Sequence, residues 1–273
     1  MDFFIENINL LLFLPLITCI IIGFNGLISY KIEKTTIFSI SIALSFICLI
    51  FAIAAFDYSA IKNLSISTNF QWLSLDSINF YLGTFLDRTS VSFLLAAGIL
   101  GFAIQNIAFA KYRENENFPR LLFYLNLFAL GLNGIFISSN IFQTYLFCEI
   151  TGIASYLLIN FDFSNREESK AGIKSFIFNR IGDLTLLFAV LTIMYFAVVY
   201  NSLTDNLALA FSNINNIAAS INSLMSIPVF VFFCSLLIFV VVMKFMQAFI
   251  YITFEKKEKS PLNRIILYQN SLT

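Results

Sequence analysis

Long apolar runs are the feature that most limits what this chain can fold into. The runs cover residues 8–29, 36–57, 86–109, 120–138, 141–161, 174–200 and 226–253, and an eighth apolar stretch begins near Leu262. A helix needs about 20 such residues to cross a bilayer. The runs therefore predict an all-α fold, a polytopic transmembrane helix bundle of seven spans plus the start of an eighth, in a single membrane domain over residues 1–273.

Composition agrees with a membrane protein and excludes several kinds of site. Hydrophobic residues make up 59% of the chain and charged residues 12%, against about 25% charged in soluble domains. The 16 basic residues balance the 16 acidic ones, which argues against a nucleic-acid partner, and the absence of histidine excludes sites that need a histidine ligand or base. Cys19, Cys48, Cys148 and Cys234 lie far apart in apolar runs, so they are predicted to be core residues and no metal site is expected.

Basic residues concentrate in alternate loops and predict how the chain is oriented. Four loops on one predicted side hold Lys31, Lys34, Lys111, Arg113, Arg120, Arg166, Lys170, Lys174, Lys256, Lys257, Lys259 and Arg264. The other side has only Lys62 and Arg88. By the positive-inside rule, the basic loops face the cytoplasm or matrix and the N-terminus lies outside. The long outer loop 58–85 alternates around Trp72, which predicts a small β-hairpin outside the membrane.

Charged residues inside the apolar runs are the main candidates for function. Glu149 lies in the fifth run and Lys244 in the seventh, each among apolar neighbours. A charge at a helix centre costs at least about 2.5–3.5 kcal/mol, so it needs a reason to be there. One hypothesis is a structural pair that locks two helices together. The other is a proton-carrying pair, in which Lys244 releases its proton when it is separated from Glu149.

The sixth run carries a second pair of charges. Arg180 and Asp183 are three residues apart and therefore share a helix face. They are predicted to form either an intrahelical ion pair or a functional pair within the membrane.

Uncharged polar residues and glycines accompany these charges. The polar ones, in or beside the spans, are Asn126, Asn133, Ser138, Ser139, Gln143, Thr144, Ser155, Ser175, Asn179, Thr185, Thr192 and Gln247. They predict hydrogen bonds between helices or a hydrated lining for proton transfer. Gly131, Gly134, Gly152 and Gly182 are predicted to be positions of close helix packing.

Three stretches resemble a known family. They are YLNLF at 124–128, CEITGIASYLLI at 148–159 and AGIKSFIFNRIGD at 171–183. In this order and spacing they resemble the N-terminal half of the antiporter-like subunit 5 of respiratory complex I, NADH:ubiquinone oxidoreductase. The resemblance is best from Asp87 to Asp183, and the NRIGD motif is its most specific part.

The resemblance implies a role for each matching residue. Glu149 matches the glutamate that pairs with a lysine of the seventh helix, and Lys244 matches that lysine. Arg180 and Asp183 match a charged pair of the sixth helix, and Asp87 resembles the start of the third. These residues would then translocate protons in a membrane-arm subunit of NADH:ubiquinone reductase, coupled to electron transfer from NADH to ubiquinone. The chain itself would bind no cofactor and have no redox site, because NAD and ubiquinone are used by the whole complex.

The sequence departs from the family pattern at several positions, and these departures bear on which partners are expected. Cys148 stands where the family has tryptophan, Gln269 where it has histidine, and the family has further spans beyond these seven. The expected partners are the other complex I membrane-arm subunits, a separate chain carrying the second half of this subunit, and the lipid bilayer. The expected location is the mitochondrial inner membrane as a multi-pass protein, with a bacterial plasma membrane as the alternative. The alternative function is a subunit of a sodium/proton antiporter without redox coupling.

Overall fold

A computed structural model of the chain describes residues 7–27, 32–62, 66–75, 78–161, 166–199 and 231–243. The helices in these ranges are α1 (Leu10–Leu27), α2 (Lys34–Lys62), α3 (Arg88–Tyr112), α4 (Phe118–Ile137), α5 (Ile141–Ile159), α6 (Arg166–Val199) and α7 (Val231–Met243). The strands are β1 (Ile66–Leu75) and β2 (Ile78–Leu86).

Each of the seven predicted apolar runs overlaps one of these helices. Within the described ranges, the five helices α2 to α6 are long and apolar enough to cross a membrane. The apolar stretches of α1 and α7 are shorter, Leu10–Asn25 and Val231–Met243. The count of seven spans and the outward N-terminus therefore stay predictions, and the apolar stretch from Leu262 lies outside the described residues.

The start of α6 differs from the sequence prediction, which placed residues 162–174 in a loop. The helix begins at Arg166, so most of that basic segment is helical. Arg, Glu, Lys and Ala have high helix propensity, and glutamates at 167 and 168 favour a helix N-terminus. The prediction was wrong because charge ends the apolar part of a helix without ending the helix itself.

Side-chain caps fix where two helices begin. Asp87 precedes α3, and its Oδ1 accepts a hydrogen bond from the backbone N–H of Ser90 at 2.7 Å. Asn140 precedes α5, and its Oδ1 accepts one from the N–H of Gln143 at 2.8 Å. Such caps satisfy backbone donors that a helix start leaves open. The segment 138–140 between α4 and α5 is short, so the two helices run antiparallel as neighbours.

Helix α4 is the centre of the bundle. It contacts α1, α2, α3 and α5 and also strand β2. Gly131 and Gly134 bring it close to α5: a Cβ at Gly131 would lie 2.9 Å from the backbone nitrogen of Thr151, and one at Gly134 would overlap the ring of Phe147. These glycines are close-packing positions, as predicted. Small residues allow such approach where no water drives helices together.

The small hairpin predicted in the loop 58–85 is formed by β1 and β2, but α2 extends to Lys62 and β2 to Leu86, so the predicted bounds of the loop were wrong. The strands pair antiparallel from Ile66 opposite Leu86 to Leu75 opposite Ile78, with an irregularity between Gln71 and Leu73.

The hairpin is tied to the start of α5. The side-chain amide of Gln143 exchanges two hydrogen bonds with the backbone of Gly83, at 2.9 and 3.0 Å. Asn140 Nδ2 donates to the carbonyl of Tyr81 at 2.7 Å. These hydrogen bonds hold the start of α5, the helix that carries Glu149, against the hairpin.

Candidate functional site

The charged residues of the fifth and sixth runs meet between α5 and α6. Glu149 and Gly152 are three residues apart on α5, and Asn179, Arg180 and Asp183 span about one turn of α6. Residues at these spacings share a helix face. The contact between the two helices therefore brings all five into one cluster, called here the charged cluster.

Arg180 forms an ion pair with Glu149, between Nη1 and Oε2. The Glu149 side chain is 18% exposed and that of Arg180 is 33% exposed, so the pair is largely removed from the surface. The guanidinium carbon of Arg180 also lies 4.8 Å from the ring centre of Phe176, one turn earlier on α6. Both contacts compensate the charge of Arg180. Removing either partner of such a pair leaves the other charge without compensation.

Asp183 is fully buried beside this pair. Its Oδ2 accepts a hydrogen bond from Asn179 Nδ2 at 2.8 Å, and Asn179 is 3% exposed. A Cβ at Gly152 would overlap Asn179 Nδ2 and lie 3.5 Å from Asp183 Oδ2. Gly152 is therefore a close-packing position, as predicted. Because it has no side chain, Asn179 and Asp183 of α6 can approach α5 closely.

Helix α7 approaches the same region. A Cβ at Gly182 would lie 3.1 Å from the Cβ of Met243, so the end of α7 packs on α6 next to Asp183. Lys244 and Gln247 lie outside the described residues. The predicted pairing of Glu149 with Lys244 stays a prediction.

The contact of Arg180 with Glu149 was missed by the sequence reasoning. The spacing of Arg180 from Asp183 predicted a partner on the same helix, because residues three apart are neighbours only within one helix. The identity of the residue across the interface depends on how α5 and α6 are rotated against each other, which a spacing does not give.

A second polar cluster lies on the other side of α4 and holds no charge. Asn126 Nδ2 donates to Ser41 Oγ at 2.8 Å and to the carbonyl of Leu122 at 2.8 Å, while Gln105 Nε2 donates to Asn126 Oδ1 at 3.3 Å. Gln105 Oε1 accepts from Ser41 at 3.2 Å and from Ser45 at 2.9 Å, and Thr18 Oγ1 lies 3.0 Å from Asn126 Oδ1. These five side chains, Thr18, Ser41, Ser45, Gln105 and Asn126, are called the amide cluster. Only Asn126 was singled out from the sequence.

Most of the predicted hydroxyl positions bond within their own turn. The hydroxyls of Ser138, Thr144, Ser155, Thr185 and Thr192 each donate to a backbone carbonyl three or four residues earlier, at 2.6–3.1 Å. Ser139 accepts from Asn140 at 3.3 Å, and Ser175 is buried. The hydrogen bonds that cross between helices are made mainly by the amides. Among the described residues, no group of three or more Cys, Asp or Glu side chains is placed to hold a metal ion.

The charged cluster lies in the part of the chain that matches a known family. Residues 138–252 match the family described as NADH:quinone oxidoreductase/Mrp antiporter, transmembrane. The chain is also 30% identical over 195 residues to the chloroplastic NAD(P)H-quinone oxidoreductase subunit 5 of Chara vulgaris, covering 70% of this chain and 29% of that protein. Over these residues the chain is similar to the antiporter-like membrane subunits. The predicted resemblance to subunit 5 is thereby confirmed over part of that subunit's length.

Other proteins that are similar to this chain have two kinds of name. It is 28% identical to the NADH-ubiquinone oxidoreductase chain 5 of Wickerhamomyces canadensis, over 77% of this chain and 32% of that protein. It is 33% identical over 147 residues to a putative antiporter subunit, mnhA2, of Staphylococcus aureus, over 53% of this chain and 18% of that protein. The chain therefore spans between 18% and 32% of the length of these relatives.

A solved structure shows the fold. The chain resembles a chain of the membrane-bound sulfane sulfur reductase, an archaeal respiratory membrane complex, with a TM-score of 0.55 and 20% identity. The likeness covers 71% of this chain and 37% of the other. The predicted fold class, a polytopic helical membrane bundle, is confirmed.

Proposed function

We propose that this antiporter-like subunit translocates protons in the membrane arm of a respiratory NADH:ubiquinone oxidoreductase. The observation that carries the proposal is the charged cluster. An ion pair of Glu149 and Arg180 stands beside the fully buried Asp183, within the apolar stretches of α5 and α6. Ionisable groups at such positions are costly and mark ion and proton pathways in membrane proteins.

The ion pair with Arg180 supports a switch in which Glu149 pairs in turn with two cations, Arg180 and a nearby lysine. While Glu149 pairs with Arg180, its charge is compensated and a lysine nearby has lost that partner. A lysine in an apolar interior then favours its neutral form and releases a proton. When Glu149 turns to the lysine, the ammonium form is stabilised and a proton is taken up.

Lys244 is our candidate for that lysine. The described part of α7 ends at Met243, which packs against Gly182 beside Asp183, and this supports a role for the next residue in the charged cluster. Asp183, held by Asn179, would be the second acidic group of the pathway.

The redox chemistry would take place in other subunits. This chain would bind no cofactor, and NAD and ubiquinone would be used by the whole complex, so its share in the NADH:ubiquinone reductase reaction would be proton movement alone. The proposed partners are other membrane-arm subunits, the lipid bilayer and a separate chain carrying the second half of the subunit. The mass of this polypeptide in the native complex tests the last point, since a chain as long as the subunit 5 relatives would contradict it.

The proposed location is the mitochondrial inner membrane. The chain 5 relative of Wickerhamomyces canadensis supports a respiratory complex, while the relatives named chloroplastic and bacterial define the competing membranes. Fractionation of the source cells with markers for each membrane distinguishes them.

A second candidate function is a subunit of a sodium/proton antiporter. The Staphylococcus aureus relative, at 33% identity, favours it. The two functions differ in what co-purifies: a respiratory subunit brings flavin and NADH-oxidising activity with it, and an antiporter subunit brings neither.

The substitution Lys244→Arg tests the proton-carrying role. Arginine keeps the positive charge but holds its proton at every accessible pH. We expect the assembled variant complex to oxidise NADH while pumping far fewer protons per NADH in sealed vesicles. Lys257→Arg, in the basic segment after the last run, is the matched control and should pump normally. Normal pumping by Lys244→Arg would reject the carrier role.

A further inference from the structure

A partly open cavity of about 40 Å³ lies between α1, α2, α3 and α4. Its polar lining consists of Thr18, Ser45, Cys48, Gln105, Asn126 and Asn133. The described residues that line it include no Asp, Glu, Lys or Arg. Asn133 and Gly131 are two residues apart, about 200° around the helix, so the cavity faces away from α5 and the charged cluster.

One wall of the cavity offers a hydrogen-bond donor. Gln105 is 2% exposed, and its amide nitrogen carries two hydrogens. One of them goes to Asn126 Oδ1 at 3.3 Å. Among the described residues, the second meets no acceptor. A buried amide hydrogen in that position calls for a further partner.

Asn133 on α4 offers an acceptor. Asn133 is 7% exposed, and its Nδ2 donates to the carbonyl of Leu11 at 3.1 Å. Its Oδ1 accepts no hydrogen bond from any described residue. Asn133 follows Asn126 by seven residues, so the two amides lie on one face of α4, roughly 10 Å apart along its axis. A row of polar positions therefore runs along the cavity.

We propose that this cavity is a binding site for ordered water. One water molecule needs about 10–15 Å³ of such space and two to four polar partners, so the volume suits roughly three molecules. Water donates to Asn133 Oδ1 and accepts from the amide of Gln105, and the hydroxyls of Thr18 and Ser45 lie on the same lining. A lining without charge favours neutral water over an ion.

Gly101 leaves space in the cavity because it has no side chain. A Cβ added at Gly101, which lines the cavity, would meet no atom within 4 Å. A larger side chain at this position therefore enters the cavity and competes with the water. This makes Gly101→Leu a way of emptying the site without substituting any of its polar partners.

Radiolytic labelling of the native complex in water enriched in oxygen-18 tests the proposal. Irradiation turns bound water into hydroxyl radicals that oxidise the nearest side chains. Cys48 lines the cavity, whereas Cys19 does not, although the two are similarly buried at 8% and 6% exposure. We expect several-fold more oxygen-18 on Cys48 than on Cys19. Equal labelling of the two thiols would overturn the proposal.

Two variants of the same complex make the test specific. Gly101→Leu should reduce the labelling of Cys48 to the level of Cys19, because its side chain takes the place of the water. Gly101→Ala leaves most of the space open and should keep the excess. If Cys48 remains strongly labelled in Gly101→Leu, the label comes from outside the cavity and the proposal fails.

Discussion

The charged cluster and the amide cluster lie on opposite sides of α4 and bury polar groups by different means. Between α5 and α6, Glu149 and Arg180 compensate each other as ions, and Asp183 is held by an amide. Among α1 to α4, Asn126 and Gln105 are surrounded by hydroxyls, and no member carries a charge.

The difference separates a cluster that can change its protonation from one that cannot. Carboxylates can take up and release protons when their partners move, whereas amides and hydroxyls keep theirs. The charged cluster lies within the family match at residues 138–252, and every member of the amide cluster precedes it. Under the proposed function, proton movement belongs to α5 and α6, whereas the amide cluster joins α1, α2 and α3 to α4.

The largest effect should come from separating the ion pair. Arg180→Gln leaves Glu149 charged and without its cation, which we expect to cost about 3 kcal/mol of stability. The double variant Glu149→Gln/Arg180→Gln removes both charges and should recover part of the loss. The yield of assembled complex and its thermal midpoint measure both effects.

An exposed ion pair supplies the control. Arg113 and Glu114 are in contact at 3.0 Å, but their side chains are 60% and 88% exposed. Arg113→Gln should change stability very little, since water screens such pairs. A double variant no more stable than Arg180→Gln alone would show that Glu149 and Arg180 do not depend on each other.

Breaking the amide cluster should have a smaller effect. Asn126→Ala leaves the N–H of Gln105 and the hydroxyl of Ser41 without their shared partner, which we expect to cost about 1–3 kcal/mol. Asn106→Ala on α3 is the matched control, because Asn106 is exposed and bonds only to the carbonyl of Phe102 among the described residues. Proton pumping per NADH should be unchanged in the Asn126→Ala complex that does assemble. Lost pumping in that complex would place Asn126 in the proton pathway and break the distinction between the clusters.

The sequence located the helices and the charges but not the partners across interfaces. The apolar runs placed the helices because a bilayer demands about 20 apolar residues in a row. Gly131 and Gly152 were predicted to be close-packing positions because small residues in membrane helices let neighbouring backbones approach each other. The Arg180–Glu149 pair was missed, since it depends on the rotation of one helix against another.

Most members of the amide cluster were not predicted from the sequence, for a related reason. Ser39 and Ser41 lie on the same helix, yet Ser39 bonds to the carbonyl of Thr35 and Ser41 to Gln105. A serine in an apolar helix usually bonds to its own backbone. Nothing in the local sequence distinguishes the one that reaches another helix.

The smallest effect concerns Asp87, the carboxylate that caps the start of α3. Burial raises the pKa of Asp87, but hydrogen bonds from Ser90 and Thr89 outweigh it and lower the pKa below its ordinary value of 3.8. A lowered pKa in the folded state means that the carboxylate stabilises the fold above its unfolded pKa. That contribution is lost as the pH falls through the folded pKa.

Two substitutions at Asp87 separate the cap from the charge. Asp87→Ala removes the cap of α3 and should cost about 1 kcal/mol at neutral pH. Asp87→Asn keeps a capping oxygen and should stay close to wild type, while losing the pH dependence. The difference in thermal midpoint between wild type and Asp87→Asn, followed from pH 7 downwards, should therefore shrink only below about pH 4. A difference that changes between pH 7 and pH 5 would contradict the lowered pKa of Asp87.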